Sequence, residues 1–142
     1  MKHILEELLN RPISELGCPK RAIHAKADLS IQGAVATLKG SHIGSIVIVD
    51  GLRVIGIFTE RDFLEKVGFT QVDISRTTVS EFMTPNPICV QRFEKIGSVL
   101  KKMREGNFRH IIIVDPYGNL EKVVSMREIM DYLVVSSVQQ VA

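Results

Sequence analysis

IQGAVATLKGSHIGSIVIVD at residues 31–50 and IGSVLKKMREGNFRHIIIVD at residues 96–115 carry one pattern of apolar positions at a constant offset. The match resumes in GIFTERD at 56–62 and KVVSMRE at 122–128. A recurring supersecondary unit predicts a domain in which two copies are related by a pseudo-two-fold axis. The seam between such copies is a natural place for a ligand. Within each copy apolar residues recur at helical spacing, Ile31, Ala34, Val35 and Leu38 in the first and Ile96, Val99, Leu100 and Met103 in the second. One stripe of each helix therefore faces a core. Gly40 and Gly106 follow as expected C-terminal stops, since glycine tolerates the left-handed conformation there. Residues 46–49 and 111–114 are continuous β-branched runs, too short for helices and apolar on both faces, which reads as buried strands.

Outward from this centre, Asp50-Gly51 predicts a hairpin into residues 53–58, and residues 115–119 predict a looser turn one residue longer. Residues 60–67 and 126–135 read as closing helices, and short extended stretches precede each copy near residues 22–25 and 88–90. Each copy is thus β-α-β-β-α, and the fold class is α+β. A single copy would leave apolar surface bare, so two are needed. The expected boundaries are a leader at 1–12, repeats at 13–67 and 79–135, a linker at 68–78 and a tail at 136–142 without clear period, expected to fray. In the leader, Ile4, Leu5, Leu8 and Leu9 oppose Lys2, Glu6 and Glu7 at helical spacing, and Pro12 stops the helix.

Composition narrows the function classes. The chain has 142 residues, 45% hydrophobic and 24% charged, enough to bury a substantial core. A formal charge of +2 is too mild to make nucleic acid or membrane the leading partner. No apolar run approaches the roughly 18–20 residues that span a bilayer, and the first ten residues alternate charged and apolar positions, unlike a signal peptide. A cytoplasmic location is expected. Cys18 and Cys89 form no C-x-x-C pair, so they are expected to be reduced, and His3, His24, His42 and His110 show no metal-ligand spacing.

The order of these phrases resembles the cystathionine-β-synthase (CBS) domain pair, across roughly residues 13–135. The resemblance rests on VSEFMTPNPICV at 79–90, MREGNFRHIIIVD at 103–115 and GIFTERD at 56–62. It implies a regulatory module that binds an adenosine-containing ligand in the cleft between repeats and dimerises into a disc. The family's nucleotide signature falls on Gly56, Ile57, Phe58, Thr59 and Asp62. A carboxylate can accept from both ribose hydroxyls, a threonine hydroxyl can reach sugar or phosphate, and glycine lets a ligand approach the backbone. Asp62 would be the ribose anchor. The same Thr59-x-x-Asp62 spacing also fits a helix N-cap, and Ser125-x-x-Glu128 fits the capping box more closely. Gly56 tips the first copy toward binding, because a mid-strand glycine costs stability unless something approaches it closely.

In the second copy Lys122 replaces the glycine and Glu128 the aspartate, so that site is expected to be altered or empty, with the Lys122 ammonium available to a phosphate. The resemblance also places basic residues such as Arg109 and His110 against phosphates, for which the planar guanidinium is well suited. Ile23 and His24, with Ile88 and Cys89 as counterparts, would supply the adenine pocket. Each of these has a plainer reading as core, strand-end or solvated surface.

G-x-x-x-x-G-K-[ST], G-x-S-x-G and H-E-x-x-H are absent, so no enzyme is expected and no cofactor is required. The leading expectation is a sensor of AMP, ADP, ATP or a related adenosyl compound that acts on an unidentified partner protein. The alternative is a structural module that dimerises through the leader and the last helix (Ile129, Met130, Leu133, Val134) without a nucleotide. Nucleic-acid binding through Lys101, Lys102, Arg104 and Arg109 is a weaker third reading, because stacking aromatics are scarce.

Overall fold

The protein is represented by a computed structural model that describes residues 2–16, 22–41 and 44–141. Gly17, Cys18, Pro19 and His42 lie outside the described residues. In chain order the elements are α1 (Lys2–Leu9), a 3-10 turn (Ile13–Glu15), β1 (His24–Lys26), α2 (Ile31–Ser41), β2 (Ser45–Asp50), β3 (Arg53–Thr59) and α3 (Glu60–Asp62), which continues as a π-turn (Phe63–Val67). A second 3-10 turn (Val79–Glu81) leads to β4 (Thr84–Pro85), β5 (Cys89–Val90), α4 (Ile96–Gly106), β6 (His110–Val114), β7 (Leu120–Ser125) and α5 (Met126–Val141). No described helix is long and apolar enough to cross a membrane.

Two compact units result. One contains described residues within 22–87 and 117–120 and carries a four-stranded sheet ordered β1-β2-β3-β4. The β1–β2 pair is parallel, as its helical crossover through α2 requires, and the β2–β3 pair is antiparallel. Gly51, at φ +65°, opens the two-residue loop between β2 and β3, where a side chain would be strained. Ile46, Ile48 and Phe58 pack with Ile31, Ala34 and Leu38 of α2 to form the core, while Val47, Val49 and Ile57 are buried as well. The predicted two-sided apolar strand is therefore present.

The other unit contains described residues within 2–16, 88–116 and 121–141, with a sheet ordered β5-β6-β7. Its core joins Ile96, Val99 and Met103 of α4 to Ile111, Ile113, Val124, Ile129 and Leu133. Leu8 and Ile13, both fully buried, complete it. The leader is thus part of a core, and Gly97 lets α4 approach the Leu9 carbonyl closely.

These units cut across the contiguous repeats expected at 13–67 and 79–135. The segment opening each repeat packs in the unit built on the other. Main-chain hydrogen bonds explain the exchange. The first N–H groups of a helix lack internal partners. Those of α2 donate to the 68–78 linker, Ile31 to the Thr77 carbonyl (2.8 Å) and Gln32 to that of Ile74 (3.0 Å). Those of α4 meet the leader's end, with Ile96 donating to the Arg11 carbonyl at 2.9 Å and Pro12 bridged to Lys95. Val79 N–H to the Leu29 carbonyl and Ile13 N–H to the Glu94 carbonyl, each 2.7 Å, fasten the two opening turns.

Helix ends also differ from expectation. Gly40 and Gly106 lie within α2 and α4, and the left-handed cap of α4 is Asn107 (φ +54°), donating to the Met103 carbonyl. A Cβ on Gly106 would overlap the Phe108 ring, so this glycine provides room. The stretch expected to fray continues α5 to Val141, with Ser137 bonded to the Leu133 carbonyl. Gly106→Ala should accordingly cost about 1–3 kcal/mol through overpacking, whereas Asn107→Gly should be neutral or slightly stabilising because φ is positive there. Urea unfolding of the two variants checks this difference.

Candidate functional site

β3 ends where Thr59, in extended conformation, begins α3. Its hydroxyl accepts the Asp62 N–H at 3.1 Å, and Asp62 Oδ2 in return accepts the Thr59 N–H at 2.9 Å and the Thr59 hydroxyl at 3.1 Å. The capping reading of Thr59-x-x-Asp62 is therefore realised. The second oxygen is also engaged: Oδ1 accepts the Thr84 hydroxyl at 3.1 Å and pairs with the Lys66 ammonium at 3.0 Å. Lys66 further reaches the Phe82 carbonyl and the Thr84 hydroxyl, each at 3.3 Å. Asp62 is only 7% exposed, so this pairing is required, because a buried charge without partners is costly.

Gly56 sits in β3 opposite Ile48 on one side and Pro85 on the other. A Cβ there would overlap the Met83 sulfur. The close approach expected of this glycine is thus made by the Met83 side chain. Phe58 lies in the unit's core and Ile57 is buried, so the motif's polar chemistry comes from Thr59 and Asp62. Met83 and Thr84 are adjacent in sequence and meet opposite ends of the motif, Gly56 and Asp62.

The second copy is differently arranged. Ser125 and Glu128 form the reciprocal capping pair, with the Ser125 hydroxyl accepting the Glu128 N–H at 3.1 Å and Glu128 Oε1 accepting the Ser125 hydroxyl at 3.2 Å. Lys122, whose ammonium was expected to be available to a phosphate, donates to the Leu16 carbonyl at 3.0 Å. Arg109 is exposed and forms no ion pair among the described residues, while its carbonyl accepts the Met126 N–H at 2.8 Å. His110 is half-buried at the start of β6. Arg109 and His110 belong to one compact unit, Thr59 and Asp62 to the other.

Of the adenine-pocket residues, Ile23 is half-buried against its unit's core and its carbonyl accepts the Val47 N–H at 2.9 Å. His24 is exposed on edge strand β1, with Nδ1 3.3 Å from the Ala22 carbonyl. Burial pushes the Cys89 thiol above its ordinary range. Among the described residues no cluster of three His, Cys, Asp or Glu could hold a metal.

Three participants escaped the sequence reading: Lys66, Met83 and Thr84. Lys66 was available as an i,i+4 partner of Asp62. The other two reach the motif through tertiary contact alone. If Met83 is what Gly56 accommodates, Gly56→Ala should cost about 1–3 kcal/mol, and most of that should be recovered in Gly56→Ala/Met83→Ala. A double-mutant cycle by urea denaturation measures the coupling.

The chain is 30% identical over 110 residues to the CBS domain-containing protein CBSCBSPB3 of Arabidopsis thaliana, covering 78% of this chain and 20% of that longer protein. The CBS-domain containing protein ATU1752 of Agrobacterium tumefaciens superposes with a TM-score of 0.78 at 27% identity, over 85% of this chain and 98% of that one. The CBS domain pair of protein MJ0100, solved with 5′-methylthioadenosine and S-adenosyl-L-methionine, superposes with a TM-score of 0.75 at 25% identity and the same coverages. The family profile of the CBS domain matches residues 5–68 and again 79–135, most of the sequence and both repeats, and the chain therefore belongs to the CBS-domain family.

Proposed function

We propose that the chain is a non-catalytic regulatory module that binds an adenosyl ligand through the Gly56–Asp62 motif and transmits its presence to a partner protein. The carrying observation is the Thr84 hydroxyl 3.1 Å from Asp62 Oδ1. A hydroxyl already occupies the kind of position that a ribose hydroxyl would take on this carboxylate. Binding of adenosyl compounds by the MJ0100 pair supports the ligand class. Arg109, exposed and without an ion pair among the described residues, is the candidate phosphate contact of its own unit, with His110 next in sequence. Lys122 and Ser125 are secondary candidates, since each is already bonded. Ile23 and His24 would border the base. The working compartment is the cytoplasm, where the Cys89 thiol stays reduced.

The module acts as a homodimer in this reading. On α5, Ile129 and Leu133 are core residues and unavailable to a partner, whereas Met130, Val134 and Val138 are 47%, 59% and 63% exposed at four-residue spacing. Leu5 on α1 is also exposed. A contiguous apolar stripe of this kind marks an interaction surface. Met130→Glu/Val134→Glu should convert a dimer to a monomer in light scattering with little change in unfolding midpoint. A monomeric parent protein would refute the dimer.

The filled space over Gly56 and the satisfied Asp62 favour a second reading, a purely structural module. A thermal-shift panel of AMP, ADP, ATP, NAD and S-adenosylmethionine separates the two. A ligand at a hundred times its dissociation constant adds about 2.7 kcal/mol, several degrees in a domain of this size. The sensor reading predicts such a shift for at least one compound and its loss in Asp62→Ala. Absence of any shift leaves the structural module.

A further inference from the structure

We infer that residues 82–85 are an internal occupant of the Gly56–Asp62 motif, which an adenosyl ligand must displace in order to bind. The inference rests on the reading that Asp62 takes the ligand's sugar. Both ends of the motif are held by one short segment: Met83 fills the space over Gly56, and the Thr84 hydroxyl takes an acceptor position on Asp62. Asp62 has no idle oxygen, because Oδ2 holds Thr59 and Oδ1 holds Thr84 and Lys66. A neutral sugar hydroxyl that replaced Lys66 would strip a buried carboxylate of its counter-ion. Replacing Thr84 exchanges one neutral hydroxyl for another, so Thr84 is the group that leaves and Lys66 the one that stays.

Within the segment Phe82 and Met83 pack against the unit's core, while the two residues that follow, Thr84 and Pro85, are exposed. β4 is a two-residue edge strand paired with β3 at Gly56–Pro85 and Ile57–Thr84, with the Asn86 N–H donating to the Ile55 carbonyl at 3.1 Å just beyond it. Three residues, 86–88, separate β4 from β5, the first strand of the other unit's sheet. A ligand shifts this equilibrium only through its preference for the undocked segment, and that preference arises because ligand and segment compete for the same oxygen and the same glycine.

Titration calorimetry of the full chain with AMP and with S-adenosylmethionine tests this, using wild type, Thr84→Val, Met83→Ala and Asp62→Asn, with circular dichroism to establish folding. Thr84→Val keeps the backbone of an exposed residue and deletes the competing hydroxyl. One neutral hydrogen bond corresponds to about fivefold, so Thr84→Val should bind about fivefold more tightly, Met83→Ala should shift the same way, and Asp62→Asn should abolish binding. Binding by Thr84→Val or Met83→Ala where wild type shows none would also support internal occupancy. If Thr84→Val binds equally or more weakly while Asp62→Asn abolishes binding, displacement is overturned and the ligand site stands. If Asp62→Asn binds like wild type, or no variant binds either compound, the ligand reading falls and the inference with it.

Discussion

A carboxylate buried at the junction of a strand and a helix must have its charge answered locally, and at Asp62 that requirement draws on three parts of the chain. Thr59 and the start of α3 supply the capping bonds, Lys66 supplies a cation from the following π-turn, and Thr84 arrives from a distant segment. The first two are local and would form in any helix of this sequence. Thr84 is different, because it joins the helix start after β3 to the segment that opens the second repeat. Together with Met83 over Gly56, this bond fixes β4 on the sheet and makes the motif both a structural junction and a candidate binding site.

Most of the architecture was legible because the repeat, the helical stripes and the two-sided apolar strands are periodic signals. Ile46, Ile48, Ile111 and Ile113 are core residues as their runs imply. The compact units were not legible, since a repeat marks similar segments without saying which copy each will pack against. Carbonyls at Arg11 and Thr77 receive the first N–H groups of α4 and α2, and no local pattern announces such bonds. Gly106 misled for a related reason: a glycine near a helix end suggests a cap, but here Asn107 takes the left-handed position and Gly106 makes room for Phe108.

The two copies share a fold and differ in chemistry. Both retain the hydroxyl-to-acid capping pair, Thr59 with Asp62 and Ser125 with Glu128, so the helix start is held alike in each. What differs is at the preceding strand. Gly56 leaves room that Met83 fills, whereas Lys122 brings a long cationic side chain bonded to the Leu16 carbonyl. The capping function was legible in both copies. Occupation of the first motif by residues 83 and 84 was not, because the partners lie more than twenty residues away in sequence.

Hydrogen exchange with and without saturating AMP or S-adenosylmethionine reports on the segment and the motif in one experiment. Exchange reads local opening, and a two-residue edge strand released from its partner loses protection. The account predicts faster exchange in residues 82–86 on ligand addition, together with slower exchange around 56–62. Slower exchange in both segments would mean that ligand and segment bind side by side, and would contradict it.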